Sequence, residues 1–181
     1  MKHSFHNCDV VSVDGGSSSL CYMAESGMDA ALKLKQIVEV VPDRLLSLTD
    51  QRASVKPAPG KWSPKEELGH LIDSAANNHQ RIVRAQLETA PRMPGYNGDA
   101  WVVLHEYQQR EWRELVALWA ALNRQLFQAA KNISDTASLR SCTIADSEPL
   151  TIRFILEDYV LHMLHHLHHI GIHVSEFGKA S

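Results

Sequence analysis

Cysteine is scarce: Cys8, Cys21 and Cys142 are odd in number and form no CxxC pair, so neither a disulfide framework nor a thiolate zinc site is indicated. A reducing cytoplasm is the expected home. Nine glycines and seven prolines in 181 residues are too few for a turn-rich β sandwich and favour long helices. No apolar run is long enough to span a bilayer. An excess of positive charge is missing too, since 18 Lys and Arg stand against 21 Asp and Glu for a net charge of -3, which leaves no overall field to hold nucleic acid. There is no acidic tail, no internal repeat, and neither a GxGxxG nor a GxxxxGK motif. The first 27 residues lack the uninterrupted apolar stretch of a secretory signal, and their DGGSSS run reads as a flexible leader. What remains, with 44% hydrophobic and 22% charged residues, is one globular domain whose partner is a small molecule rather than nucleic acid or membrane.

Periodicity predicts four main helices. Ala31, Leu34, Ile37, Val38 and Val41 lie on one stripe, giving a first helix over 28–41 that Pro42 interrupts. Leu45, Leu46 and Leu48 suggest a further short turn before two prolines and a glycine at 57–60. Ser63-Pro64-Lys65-Glu66 combines an N-cap serine, a proline at the first helical position and a glutamate at the capping-box position, so a second helix is expected over 64–88. A third and longest helix is expected over 99–131, along the stripe Leu104, Tyr107, Glu111, Leu115, Leu118, Leu122 and Leu126. The polar 134–149 stretch reads as irregular. Thr151 is placed to cap a fourth helix over 151–174. Each stripe must bury itself against another, so the fold class is all-α, a four-helix bundle over 28–174 with a tail at 175–181.

Histidine is what the chain has in excess. Six of the eleven lie between His162 and His173. With 3.6 residues per turn, His162 and His166 sit about 40° apart on the side of Ile155 and Tyr159, toward the core. His169 and His173 fall near the same line, His165 at its edge, and His168 points away. Histidines at i and i+4 can chelate one metal, because successive turns bring their ring nitrogens toward a common point. Any single histidine is more simply read as polar surface or as a hydrogen-bonded core residue. A buried pair is different, since two imidazoles without a shared partner leave hydrogen bonds unmet. The second helix offers a third ligand: His70, Ser74, Asn77 and Arg81 form a polar stripe flanked by Glu66 and Asp73. Such a stripe reads equally as solvated surface. Turned toward the fourth helix, it would let His70 join His162 and His166 around one ion with an open position, with Asp73 or Glu66 to orient a ring or move a proton. Asn77 and Arg81 would then bind an anionic group of the substrate. His79 and His105 show no comparable partners and are expected at the surface or between helices.

Gly60-Lys61-Trp62-Ser63, the Glu67-Leu68-Gly69-His70-Leu71-Ile72-Asp73-Ser74 segment and the HxxHHxxHI run from His162 to Ile170 resemble the DinB/YfiT-like superfamily. The likeness runs more loosely from about 28 to 174 and includes Gly95-Tyr96 and Trp101. It implies an up-down-down-up four-helix bundle with one divalent metal per chain, often nickel or zinc, held by three histidines that map onto His70, His162 and His166. It implies either a metal-dependent hydrolase or, alternatively, a transferase that adds a low-molecular-weight thiol such as bacillithiol or mycothiol to electrophiles. A metal-stapled binding or stress protein without catalysis is a third reading, favoured by a fourth protein ligand in place of a coordinated water. A homodimer is expected from the likeness and from apolar Trp and Leu residues on the third helix. The chain departs from the pattern at Gly69, where close relatives carry another histidine.

Overall fold

The computed structural model describes residues 27–173, so the leader expected at 1–27 and the tail at 175–181 lie almost wholly outside the described residues. Its elements in chain order are α1 (Gly27–Leu46), α2 (Asp50–Ala53), α3 (Pro64–Leu87), β1 (Arg92–Met93), α4 (Gly98–Leu104), a 3-10 turn (Tyr107–Gln109), α5 (Trp112–Ala130), α6 (Asp135–Ser138), β2 (Ser141–Ile144), β3 (Leu150–Thr151) and α7 (Ile152–His169). The bundle is formed by α1, α3, α5 and α7.

The start signals act as the sequence suggests. Ser63 Oγ accepts from the Glu66 amide while Glu66 Oε2 accepts from the Ser63 amide at 2.8 Å, which satisfies two of the orphan donors at the head of α3. Thr151 caps α7 through the Phe154 amide at 3.2 Å. Pro42 does not end α1, which runs on to Leu46. The turn beyond it is held by tertiary contacts: Leu45 is fully buried and its carbonyl accepts from the Trp112 indole at 2.8 Å. Tertiary packing here outweighs the cost of an interior proline.

The expected helix over 99–131 is two helices. Glu106 stands in the left-handed region at φ 50°, breaking the chain between α4 and α5. The buried stripe of α5 is Trp112, Leu115, Val116, Trp119, Ala120, Leu126 and Ala130, and Glu111 is an exposed N-cap. Trp112 and Trp119 are therefore core residues, and the exposed apolar surface of this region reduces to Val103 and Leu104 on α4. The 134–149 stretch holds α6 and β2, the middle strand of a small sheet ordered β1-β2-β3, with β1 parallel to β2 (Arg92 opposite Thr143) and β2 antiparallel to β3 (Cys142 opposite Leu150). Strands this short carry no alternation to read.

Side-chain links fix the directions. Trp112 at the start of α5 meets Leu45 at the end of α1, whereas Gln86 late in α3 reaches the Ala129 carbonyl late in α5 at 3.2 Å. His166 late in α7 meets Glu67 early in α3, and Arg44 late in α1 reaches the His173 carbonyl. The order is up, down, down, up. Because α3 and α5 run the same way, the chain must return along the bundle between them, and 88–111 does so over the face of α3. Among the described residues no helix is long and apolar enough to cross a membrane.

Candidate metal centre

The antiparallel packing of α3 on α7 brings three imidazoles together. His162 Nε2 lies 3.1 Å from His70 Nε2 and 3.0 Å from His166 Nε2. The ring of His70 is packed by Trp62, 5.0 Å away between centroids, and on the crossover side by Gly98, where any Cβ would come within 3.0 Å of the ring. The glycine thus lets α4 approach this histidine without crowding its ring.

Glu67 is the residue the sequence reading passed over. Its Oε2 is 2.6 Å from His166 Nδ1 and its Oε1 is 3.2 Å from His169 Nδ1. It sits one turn before His70 on α3, so its position on the histidine face was available from spacing; its partner on α7 was not, because that needs the helix pairing. With a proton on Nδ1 directed at the Glu67 carboxylate, His166 presents the lone pair of Nε2 to the cluster. His162 Nε2 could donate to one neighbour but not well to both. His70 Nδ1 is buried without a protein partner.

Burial, reinforced by the neighbouring imidazoles, holds all three rings neutral, with pKa values of about 4 for His70, about 3 for His162 and about 4 for His166. Neutral imidazoles whose Nε2 atoms converge can turn their lone pairs to a cation. Two ligand atoms at ~2.0–2.1 Å from a tetrahedral zinc lie roughly 3.3 Å apart, close to the two observed nitrogen separations. The residues fit a divalent ion.

These low values predict an acid-sensitive apoprotein. An unfolded histidine titrates near ~6.5, so below that pH the unfolded chain binds protons the folded rings refuse. The stability they leave intact above pH ~6.5 is lost as pH falls toward 4. The melting temperature of chelator-treated protein should fall over that window, less steeply for His162→Ala; equal slopes for the two proteins would reject the assignment.

Asp73 and Glu66 have separate surroundings. Glu66 spends both oxygens at the helix start, on the Ser63 amide and on Lys56 Nζ at 2.8 Å. Asp73, one turn beyond His70, is buried, which raises its pKa; Oδ1 accepts from the Tyr107 hydroxyl at 2.7 Å and lies 3.0 Å from His105 Nδ1. Its Oδ2 is buried with no partner in the protein. His105, expected at the surface or between helices, is exposed and is half of this pair. Tyr107 can lie so close to α3 because residue 69 is glycine. Asn77 is tied to the Asp73 carbonyl at 2.9 Å, and buried Arg81 reaches Asn78 Oδ1 at 3.3 Å. At 1.5 Å per residue they stand about 10 and 16 Å along α3 from His70, so the structure does not gather them at the cluster. The exposed rings of His168 and His173 meet each other, Nδ1 to Nδ1 at 3.1 Å.

Residues 34–170 match the family model of the DinB superfamily. The chain belongs to the DinB superfamily. Among its DinB relatives, the "Putative metal-dependent hydrolase YfiT" of Bacillus subtilis (strain 168) is 28% identical over 139 residues, covering 76% of this chain and 74% of the relative. A relative from Oceanobacillus iheyensis with the same description is 23% identical over 138 residues, 76% of this chain and 80% of its own. The solved structure of Bacillus subtilis YfiT, described as a probable metal-dependent hydrolase with an unusual four-helix bundle topology, superposes with a TM-score of 0.64 at 27% identity, over 80% of this chain and 79% of that one. The DinB bundle and its helix order agree with what the resemblance implied.

Proposed function

We propose that this DinB chain is a metal-dependent hydrolase of a small-molecule substrate, with one divalent ion, nickel or zinc, held by His70, His162 and His166. The observation that carries the reading is the convergence of three neutral imidazoles on one point, in a chain whose relatives are described as metal-dependent hydrolases. Three imidazoles suit either metal and leave a coordination position open. A divalent ion there supplies Lewis acidity and lowers the pKa of a nucleophile, water or thiol, in its shell.

The chain's own groups do the rest. Glu67 fixes the tautomer and tilt of His166, the outer-carboxylate role that commonly accompanies a metal-binding histidine. Trp62 and Gly98 hold the His70 ring between them. Asp73, one turn beyond His70, has its Oδ1 committed to Tyr107 and His105 and its Oδ2 uncommitted, so that oxygen would be the one to take up a proton at this end of α3. Burial raises its pKa toward the range where a carboxylate is an effective base.

The test is to incubate metal-loaded protein with a panel of esters and amides, and separately with monochlorobimane in the presence and absence of bacillithiol, mycothiol or glutathione. Hydrolysis is expected, with Asp73→Asn lowering kcat ~10²–10⁴-fold at unchanged metal content. Thiol-dependent turnover would move the assignment to an S-transferase. No turnover in either assay would leave a non-catalytic metal protein.

A further inference from the structure

Beyond the buried cluster, α7 carries a second group of donors that the proposed hydrolytic centre does not use. The ligand atoms of Glu67, His166 and His169 lie within 4.8 Å of one another. His165 meets His169, one turn away, edge to face, with ring centroids 4.3 Å apart. His165 and His169 are exposed to solvent, whereas Glu67 is buried beneath them.

The two contacts of Glu67 differ in kind. Its 2.6 Å approach to His166 Nδ1 has the length of a charge-assisted hydrogen bond, too short for two atoms that share an ion. Its 3.2 Å separation from His169 Nδ1 is long for such a bond. It is a long hydrogen bond that also lies close to the roughly 3.3 Å separating two ligands of one tetrahedral zinc. His165 stands one turn before His169, and its exposed ring reaches the same point only by rotating from the edge contact it makes with His169.

We infer that Glu67 Oε1, His169 and His165 form a second, solvent-facing position for a divalent cation, distinct from the three-histidine cluster and joined to it through Glu67 and His166. Water fills the remaining coordination sites, since two of the three side chains are exposed. Binding displaces at most the proton of a histidine ring, released to solvent. The outer ion binds more weakly than one at the buried cluster, because its ligands are mobile surface side chains that lose conformational freedom on binding. It shares none of the three ligands of the inner centre, so His162 and His169 test the two sites separately, while Glu67 touches both.

The experiment is a zinc titration of the full chain at pH 7.5 by isothermal calorimetry, with zinc counted after equilibrium dialysis and ¹⁵N-histidine NMR to identify the rings. Two equivalents of unequal affinity are expected, the weaker one shifting the His165 and His169 ring nitrogens. His169→Ala should weaken that equivalent at least ~10-fold, the low end of what even an outer partner of a metal is worth. The tighter equivalent should be unchanged. A single equivalent in the wild type, or a second one that survives the His165→Ala/His169→Ala double substitution, overturns the outer site. His162→Ala separates the two readings: it should remove the tighter equivalent and keep the weaker. A tight equivalent that survives His162→Ala defeats the inner assignment while leaving the outer one to be decided by His169.

Discussion

His162→Ala is expected to lower the affinity of the tight metal equivalent by well over ~100-fold, beyond the roughly 10–100-fold that outer-shell partners contribute. His162 is the middle of the cluster, with its Nε2 within 3.1 Å of both other rings. His70→Ala and His166→Ala should follow it, and Glu67→Gln should fall between them and the wild type. His168→Ala should change nothing, since its partner is His173 at the exposed end of α7. Thermal melts add a second readout. Metal binding to the folded state adds to stability, so the melting temperature of the wild type should drop on chelation while that of His162→Ala should not. In the chelated form the substitution should cost little, because it relieves two nitrogen contacts that cannot both be hydrogen bonds. A hydrogen-bonded core histidine would behave in the opposite way: its loss would destabilise the chelated protein, and chelation itself would be without effect.

The parts of this site that were legible in the sequence are those encoded locally. Ser63 and Glu66 announce the start of α3, and the register they set puts Glu67, His70 and Asp73 on neighbouring lines of one helix. The four-residue step from His162 to His166 places two rings on one face of α7 without any knowledge of the fold. What could not be read depends on which helix meets which. Glu67 gained its role only when α7 packed antiparallel on α3, and no spacing within either helix carries that information. The break at Glu106 was hidden for another reason. The 105–111 stretch has no glycine or proline, so its composition continues a helix, and the left-handed turn is set by burial of Tyr107 rather than by local preference. The same break hands His105 to Asp73. Pro42 was misjudged in the reverse direction, where a strong local signal yielded to the burial of Leu45.

Gly69→Ala tests the contact that shapes this side of the site, and it is expected to destabilise the protein despite replacing a helical glycine with the best helix former. A Cβ at position 69 would stand 2.1 Å from Tyr107 Cδ2 and 2.2 Å from Cγ. These atoms belong to the body of a ring that is only 3% exposed and is pinned at its far end to Asp73, so it cannot swing aside cheaply. Either α3 and the 105–111 turn separate, at an overpacking cost of ~1–3 kcal/mol, or the ring leaves and the Asp73 hydrogen bond goes with it, worth ~1.5–3 kcal/mol for a charged acceptor. Helix propensity returns about 1 kcal/mol. The net loss should be up to about 2 kcal/mol, which at ~2–4 °C per kcal/mol for a chain of this size lowers the melting temperature by up to roughly 8 °C. By the same geometry, a histidine at 69 and a tyrosine ring at 107 would compete for one volume. Tyr107→Ala should therefore relieve the clash, so that the Gly69→Ala/Tyr107→Ala double variant is less destabilised than the sum of the single changes. Strict additivity, or a Gly69→Ala protein that melts higher than the wild type, would show that residue 69 and the Tyr107 ring are not in contact in solution.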